Sequence, residues 1–167
     1  MLFMSTSGVL GRFIEMAPPV TIWWRCLLAA FFLTLFCWRW NVCLKIHHKR
    51  DLATILIGGL FLGGHWVTYF LAPRFSIENV YTKGILLGLI SSLMYSLRNL
   101  LLKNRAKTYH GSALMFYQMI IVITALAPVL MIYDGVMLTE QWPAVVTLAL
   151  ITTAIGHTLF VISFKHF

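Results

Sequence analysis

Negative charge is nearly missing from this chain. Among 167 residues only Glu15, Asp51, Glu78, Asp134 and Glu140 are acidic, against 13 lysines and arginines. None of the acids falls inside a long apolar run. A carboxylate carrier for protons or sodium within a membrane therefore has no obvious residue to rest on. Cysteine is scarce as well. Cys26, Cys37 and Cys43 lack metal-ligand spacing, so reduced thiols are expected. The sequence has no glycine-rich phosphate loop, nucleophile elbow or zinc signature. His47-His48, beside Lys49-Arg50, reads as a solvated basic loop rather than a metal pair. The first residues lack the basic stretch of a cleavable signal peptide. An enzyme is not expected, and no cofactor or metal is implied.

What remains is apolar. The chain is 60% hydrophobic and 11% charged, more apolar surface than a soluble domain of this length can hide. Lipid solves that problem for a helix bundle. An outer-membrane barrel would alternate polar and apolar residues, and these runs do not. The net charge of +8 sits in short loops rather than in a patch, which argues against nucleic acid as a partner.

Crossing the hydrocarbon core takes about 20 helical residues. Five runs qualify, at about 19–38, 52–72, 82–102, 111–133 and 143–164, and a shorter sixth lies at about 1–13. The fold class expected is all-α: a polytopic membrane bundle of about six helices. Pro18-Pro19 suits a first helical turn, Asp134-Gly135 breaks the chain, Pro143 opens the last run and Pro128 should kink the one before it. Eight basic residues (Arg39, Lys45, Lys49, Arg50, Lys103, Arg105, Lys107 and Lys165) fall on one side of a six-span chain. The positive-inside rule puts that side, and both termini, in the cytoplasm.

Two halves echo each other. Gly64-His65 sits late in one run and Gly156-His157 late in another, 92 residues on (156 against 64). An aromatic pair precedes Arg25 in Trp23-Trp24 and Gln118 in Phe116-Tyr117. With three spans per half the second half must be inverted. The expected organisation is a first repeat at 1–72, a linker at 73–81 and an inverted repeat at 82–167.

The stretches Met16 to Ala30, Gly58 to Phe70 and Tyr81 to Gly135 resemble the EamA-type family of the drug/metabolite transporter superfamily. That resemblance implies ten helices in two five-helix inverted repeats around a cavity, and export of metabolites, amino acids or their analogues. Against that pattern the chain is a shortened form. It passes from Ala72 straight to Pro73-Arg74-Phe75-Ser76, and two further helices would follow Phe167. The function expected is an exporter or facilitator of small metabolites, amino acids or related carboxylates, by alternating access in the plasma (inner) membrane. A small-molecule substrate and lipids are the expected partners, with a homo-oligomer where a second copy completes the pathway. The competing reading is a non-transporting remnant or a helix-packing partner.

The expected substrate-binding residues are Arg25, His65, Tyr69, Tyr95, Asn99, Gln118 and His157. Arg25 lies about 9 Å deep by helical rise, where an arginine costs roughly 2.5–3.5 kcal/mol even on lenient scales. It either meets an anion or snorkels to the headgroups. His65 is expected at the same level, sharing a wet cavity with Arg25; the alternative is a hydrogen bond between helices. Gln118 and His157, with Thr153 on the same face, form the matching layer, or else simple interhelical contacts. Ser91, Tyr95 and Asn99 make one stripe of the fourth run. Gly84, Gly88, Ser92 and Ser96 make a small-residue seam beside it, and Gly59 with Gly63 makes a second. Arg98, near a span end, is expected to snorkel.

Overall fold

The computed structural model describes residues 14–71, 81–133, 136 and 139–164. The apolar run at 1–13, residues 73–80 of the linker, Asp134-Gly135 and Lys165 lie outside the described residues. Five helices follow in chain order: α1 (Pro18–Arg39), α2 (Lys49–Leu71), α3 (Tyr81–Thr108), α4 (Gly111–Leu126) and α5 (Thr139–Ser163). α1, α2, α3 and α5, and α4 together with its continuation to Met131, are each long and apolar enough to cross a membrane, and the described residues contain no strand.

Local chemistry explains the ends. α1 begins on Pro18-Pro19, where a missing N–H costs nothing. It ends in a Schellman turn. Asn41 takes φ 51°, Val42 N–H donates to Cys37 O at 2.9 Å and Asn41 N–H to Trp38 O at 3.4 Å. The His110 side chain caps α4 by accepting from Ser112 N–H. α3 runs to Thr108, six residues beyond the expected boundary at 102, because Lys103, Arg105 and Lys107 ride on its last turns. At Pro128 the winding tightens rather than simply bending: Ala127–Met131 is a 3-10 helix continuing α4. The Trp23 indole donates to Ile123 O at 3.1 Å, just before that change.

α5 changes winding three times. A 3-10 turn at Thr139–Gln141 leads into α-helix at Trp142–Thr147, with Pro143 in its first turn. Leu148–His157 is wound as a π-helix, and Thr158–Ser163 returns to α. No feature of the sequence announces the π stretch. Wider winding brings consecutive side chains closer to one face, and such stretches concentrate at functional sites.

The halves interlock. α1 packs chiefly on α4 and α5, and α2 chiefly on α3 and α4, while α1 and α2 touch little. One core joins them, with Ile22, Leu33, Leu62, Trp66, Leu102, Met115, Met119 and Val161 among its buried members. The Gly59/Gly63 seam is real. A Cβ on Gly59 would overlap the Ile121 side chain and lie 3.0 Å from Gln118 Cα, and one on Gly63 would lie 3.2 Å from Val122. Among the described residues the expected Gly84/Gly88/Ser92/Ser96 seam makes no close contact at Gly88, Ser92 or Ser96. A Cβ on Gly88 meets nothing within 4 Å, and Ser92 and Ser96 are exposed. α3 instead turns inward the face bearing Ser91, Arg98, Leu102 and Ala106, which leaves Gly88, Ser92 and Ser96 pointing outward.

The start of α2 and the end of α3 are tied by Asp51. It accepts from Arg105 Nε at 3.1 Å and from the Tyr109 hydroxyl at 2.9 Å, while Arg105 Nη2 also reaches Thr54 at 3.4 Å.

Candidate functional site

Thr21, Arg25, Ala29, Leu33 and Cys37 recur every fourth residue on α1 and are all buried. Arg25 therefore points into the bundle, and only 1% of its surface is exposed. Snorkelling is overturned. Its Nε donates to Thr153 Oγ1, and its Nη2 to Thr152 Oγ1 at 3.4 Å. Both threonines lie on the π-wound part of α5, in the other half of the chain. Their hydroxyls also donate to the Leu148 carbonyl, four and five residues back. The Arg25 guanidinium lies over the Trp66 ring, 4.4 Å from its centroid, a favourable cation–π position.

Trp66 begins a ladder of rings. His157 meets it edge-on at 5.5 Å. Tyr95 lies 6.4 Å from His157. Beyond Tyr95 stands a second guanidinium, Arg98, 5.7 Å from the Tyr95 centroid. His157 is 5% exposed, its Nδ1 has no hydrogen-bond partner among the described residues, and it lies within Coulombic reach of Arg25, Arg98 and His65.

His65 does not pair with Arg25 as expected. It turns toward α3, where its Nδ1 lies 2.8 Å from Ser91 Oγ and 3.0 Å from Ser91 O, and Ser91 Oγ donates to His65 O at 3.0 Å. The reason is helical rotation: His65 and Trp66 are consecutive, so only one can face α1. Gly64 lets α3 come close, since a Cβ there would lie 2.7 Å from Met94 Sδ. His65 still joins the cluster through Tyr95, at 4.8 Å between centroids. The two Gly-His dipeptides thus converge on Tyr95 from both halves. Tyr69 marks the rim, 45% exposed and 6.0 Å from the His65 ring.

Arg98 overturns its expected snorkelling. It is wholly buried on α3, ten residues before Thr108 and so roughly 15 Å along the helix from that end. Its Nε donates to Gln118 Oε1 at 3.1 Å, its Nη1 to Asn99 Oδ1 at 3.0 Å and its Nη2 to Met115 Sδ at 3.0 Å. Asn99 and Gln118, both expected site residues, meet here on Arg98.

Sequence reasoning missed Arg98, Trp66 and Thr152. The Thr152-Thr153 pair, isolated in an apolar run, was the available signal for the last. The arrangement holds two buried cations, two histidines and neutral hydrogen-bonding groups. Its chemistry is that of a cationic, hydrogen-bonding cluster, and among the described residues no nucleophile is aligned with a base. The described residues contain no group of three or more potential metal ligands.

A family model for EamA-like transporters matches residues 82–167, the stretch that carries α3, α4 and α5. No curated protein and no solved structure matches the chain. The matched stretch supplies Tyr95, Arg98, Gln118, Thr153 and His157, and covers more than half of the 167 residues. With five helices fit to span a bilayer, the chain is an integral membrane protein and belongs to the EamA-like transporter family.

Proposed function

We propose that the chain moves a small carboxylate-bearing metabolite, an amino acid or a related acid, across the plasma (inner) membrane by alternating access. Arg25 receives the carboxylate. The observation that carries this is its placement. Arg25 belongs to α1, lies in the bundle interior, and is held by Thr153 and Thr152 of α5 beside the face of Trp66. Threonine hydroxyls are neutral acceptors. A carboxylate makes shorter, stronger, two-pronged bonds to a guanidinium and can take their place. Such a ligand would change the contact between α1 and α5. It would then bind two arrangements of the halves unequally, which a ligand-driven conformational change requires.

The Gly-His echo supports two inverted repeats, 1–72 and 82–167, joined through 73–81. The eight basic residues on one side favour cytoplasmic termini. The family's members are transporters, which supports a transport role over an enzymatic one.

Two experiments test this. Proteoliposomes holding the purified chain should accumulate labelled amino acids or small carboxylates saturably, while amines and sugars of equal size stay at the level of empty vesicles. Uptake confined to compounds without a carboxylate would sink the assignment. Cys43 is exposed just after α1 and should react with a membrane-impermeant maleimide from the cytoplasmic face alone. Labelling from the outer face would reverse the orientation.

A further inference from the structure

The second guanidinium, Arg98, has only neutral hydrogen-bond acceptors among the described residues. Arg98 keeps its charge under all ordinary conditions, because guanidinium does not lose its proton in proteins. Its three acceptors are an amide oxygen of Gln118, an amide oxygen of Asn99 and the thioether of Met115. All are neutral, and sulfur is a weak acceptor. Among the described residues the acids are Glu15, Asp51 and Glu140; none lies within the central turns of a helix, and Asp51 is occupied by Arg105 and Tyr109.

Gln118 supplies the second observation. It is wholly buried on α4. Its Oε1 must face Arg98 Nε, because that nitrogen can only donate. The amide orientation is thereby fixed, and it leaves Gln118 Nε2 turned away. That Nε2 is buried and has no hydrogen-bond partner among the described residues. A cation with one poor acceptor and an orphaned amide donor therefore stand together. Both lack the same thing, an anionic oxygen.

We infer that Arg98 and Gln118 form a second carboxylate subsite on the α3–α4 hairpin. One carboxylate oxygen replaces Met115 Sδ at Arg98 Nη2, and the other accepts from Gln118 Nε2. The subsite stands apart from the Arg25 assignment. Its partners are α3 and α4, and the rings of Trp66, His157 and Tyr95 separate it from Arg25. Its occupant is either the second carboxylate of a dicarboxylic acid or the single carboxylate of a separate molecule.

Equilibrium binding of labelled propionate and succinate to the purified full chain in detergent tests this. In Arg25→Gln, propionate should still bind saturably. Adding Gln118→Leu to that background should weaken binding about tenfold or more, as expected for the loss of a hydrogen bond to a charged group. Adding Arg98→Gln should abolish it. Met115→Leu conserves volume and removes the competing sulfur, so it should tighten propionate binding; this variant decides the matter if Arg98→Gln does not fold. Tighter binding of succinate than of propionate to the wild type places both ends of one molecule on the two subsites. Two equivalents of propionate per chain place two molecules there. No saturable propionate binding in Arg25→Gln, or weaker binding in Met115→Leu, overturns the subsite. Full binding in Arg25→Gln with none in Arg98→Gln would instead overturn the Arg25 assignment and leave this one standing.

Discussion

Arg25 and Arg98 are both sealed from solvent, but their partners differ in reach. Arg25 is held by Thr153 and Thr152, 128 and 127 residues away, on a helix of the other half. Arg98 is held by Gln118 and Met115, 20 and 17 residues away, within a single hairpin. The first set of contacts exists only once the halves are assembled. The second forms with the hairpin itself. The winding differs too: Thr152 and Thr153 sit on a π-helical stretch, while Gln118 sits on a regular α-helix. A relative movement of the halves would strain the bonds of Arg25 and leave those of Arg98 intact. Arg25 is thus the cation suited to report or drive such a movement.

Gly59 offers the strongest way to disturb one end alone. Its missing Cβ is what lets α2 lie against the main chain of Gln118: a Cβ there would lie 3.0 Å from Gln118 Cα and 3.1 Å from its O. Gly59→Leu should push Gln118 away from Arg98 and cost about 1–3 kcal/mol or more, as overpacking does. Gly88→Leu, at a position with nothing within 4 Å, should leave the melting temperature in detergent nearly unchanged. Equal losses in the two variants would contradict the close packing of α2 on α4.

Thr153→Val comes next. It keeps the shape and removes an acceptor from a buried guanidinium, so about 1.5–3 kcal/mol should be lost. Thr152→Val should cost less, within about 1 kcal/mol, because its bond to Arg25 is long at 3.4 Å. Thermal unfolding in detergent measures both. The reverse order would mean that Thr152, rather than Thr153, holds the Arg25 end.

Much of this was legible in the sequence, because lipid imposes simple rules. Runs of about 20 apolar residues with charged loops between them reveal spans without any knowledge of packing. The burial of Arg25 was partly legible, since an arginine that deep has few choices. Arg98 was not. Lys103, Arg105 and Lys107 look like the end of a span, yet α3 carries them on to Thr108 and leaves Arg98 inside. Two stripes one residue apart, Ser91/Tyr95 and Gly88/Ser92/Ser96, looked equally fit to face the bundle. Only the neighbouring helices decide that rotation, and here His65 takes Ser91 inward. The same rotational blindness paired Arg25 with His65 instead of Trp66. The π winding at Leu148–His157, which presents both threonines to Arg25, has no composition of its own to betray it.

The most direct measurement is the initial rate of carboxylate uptake into proteoliposomes by wild type and by Arg25→Gln, compared at matched protein content and melting temperature. Glutamine preserves hydrogen bonding to Thr153 but removes the charge and the two-pronged donor. Saturable uptake by the wild type, falling to the empty-vesicle level in the variant, is the predicted result. Equal uptake by the two proteins would contradict the assignment of Arg25 as the group that receives the substrate.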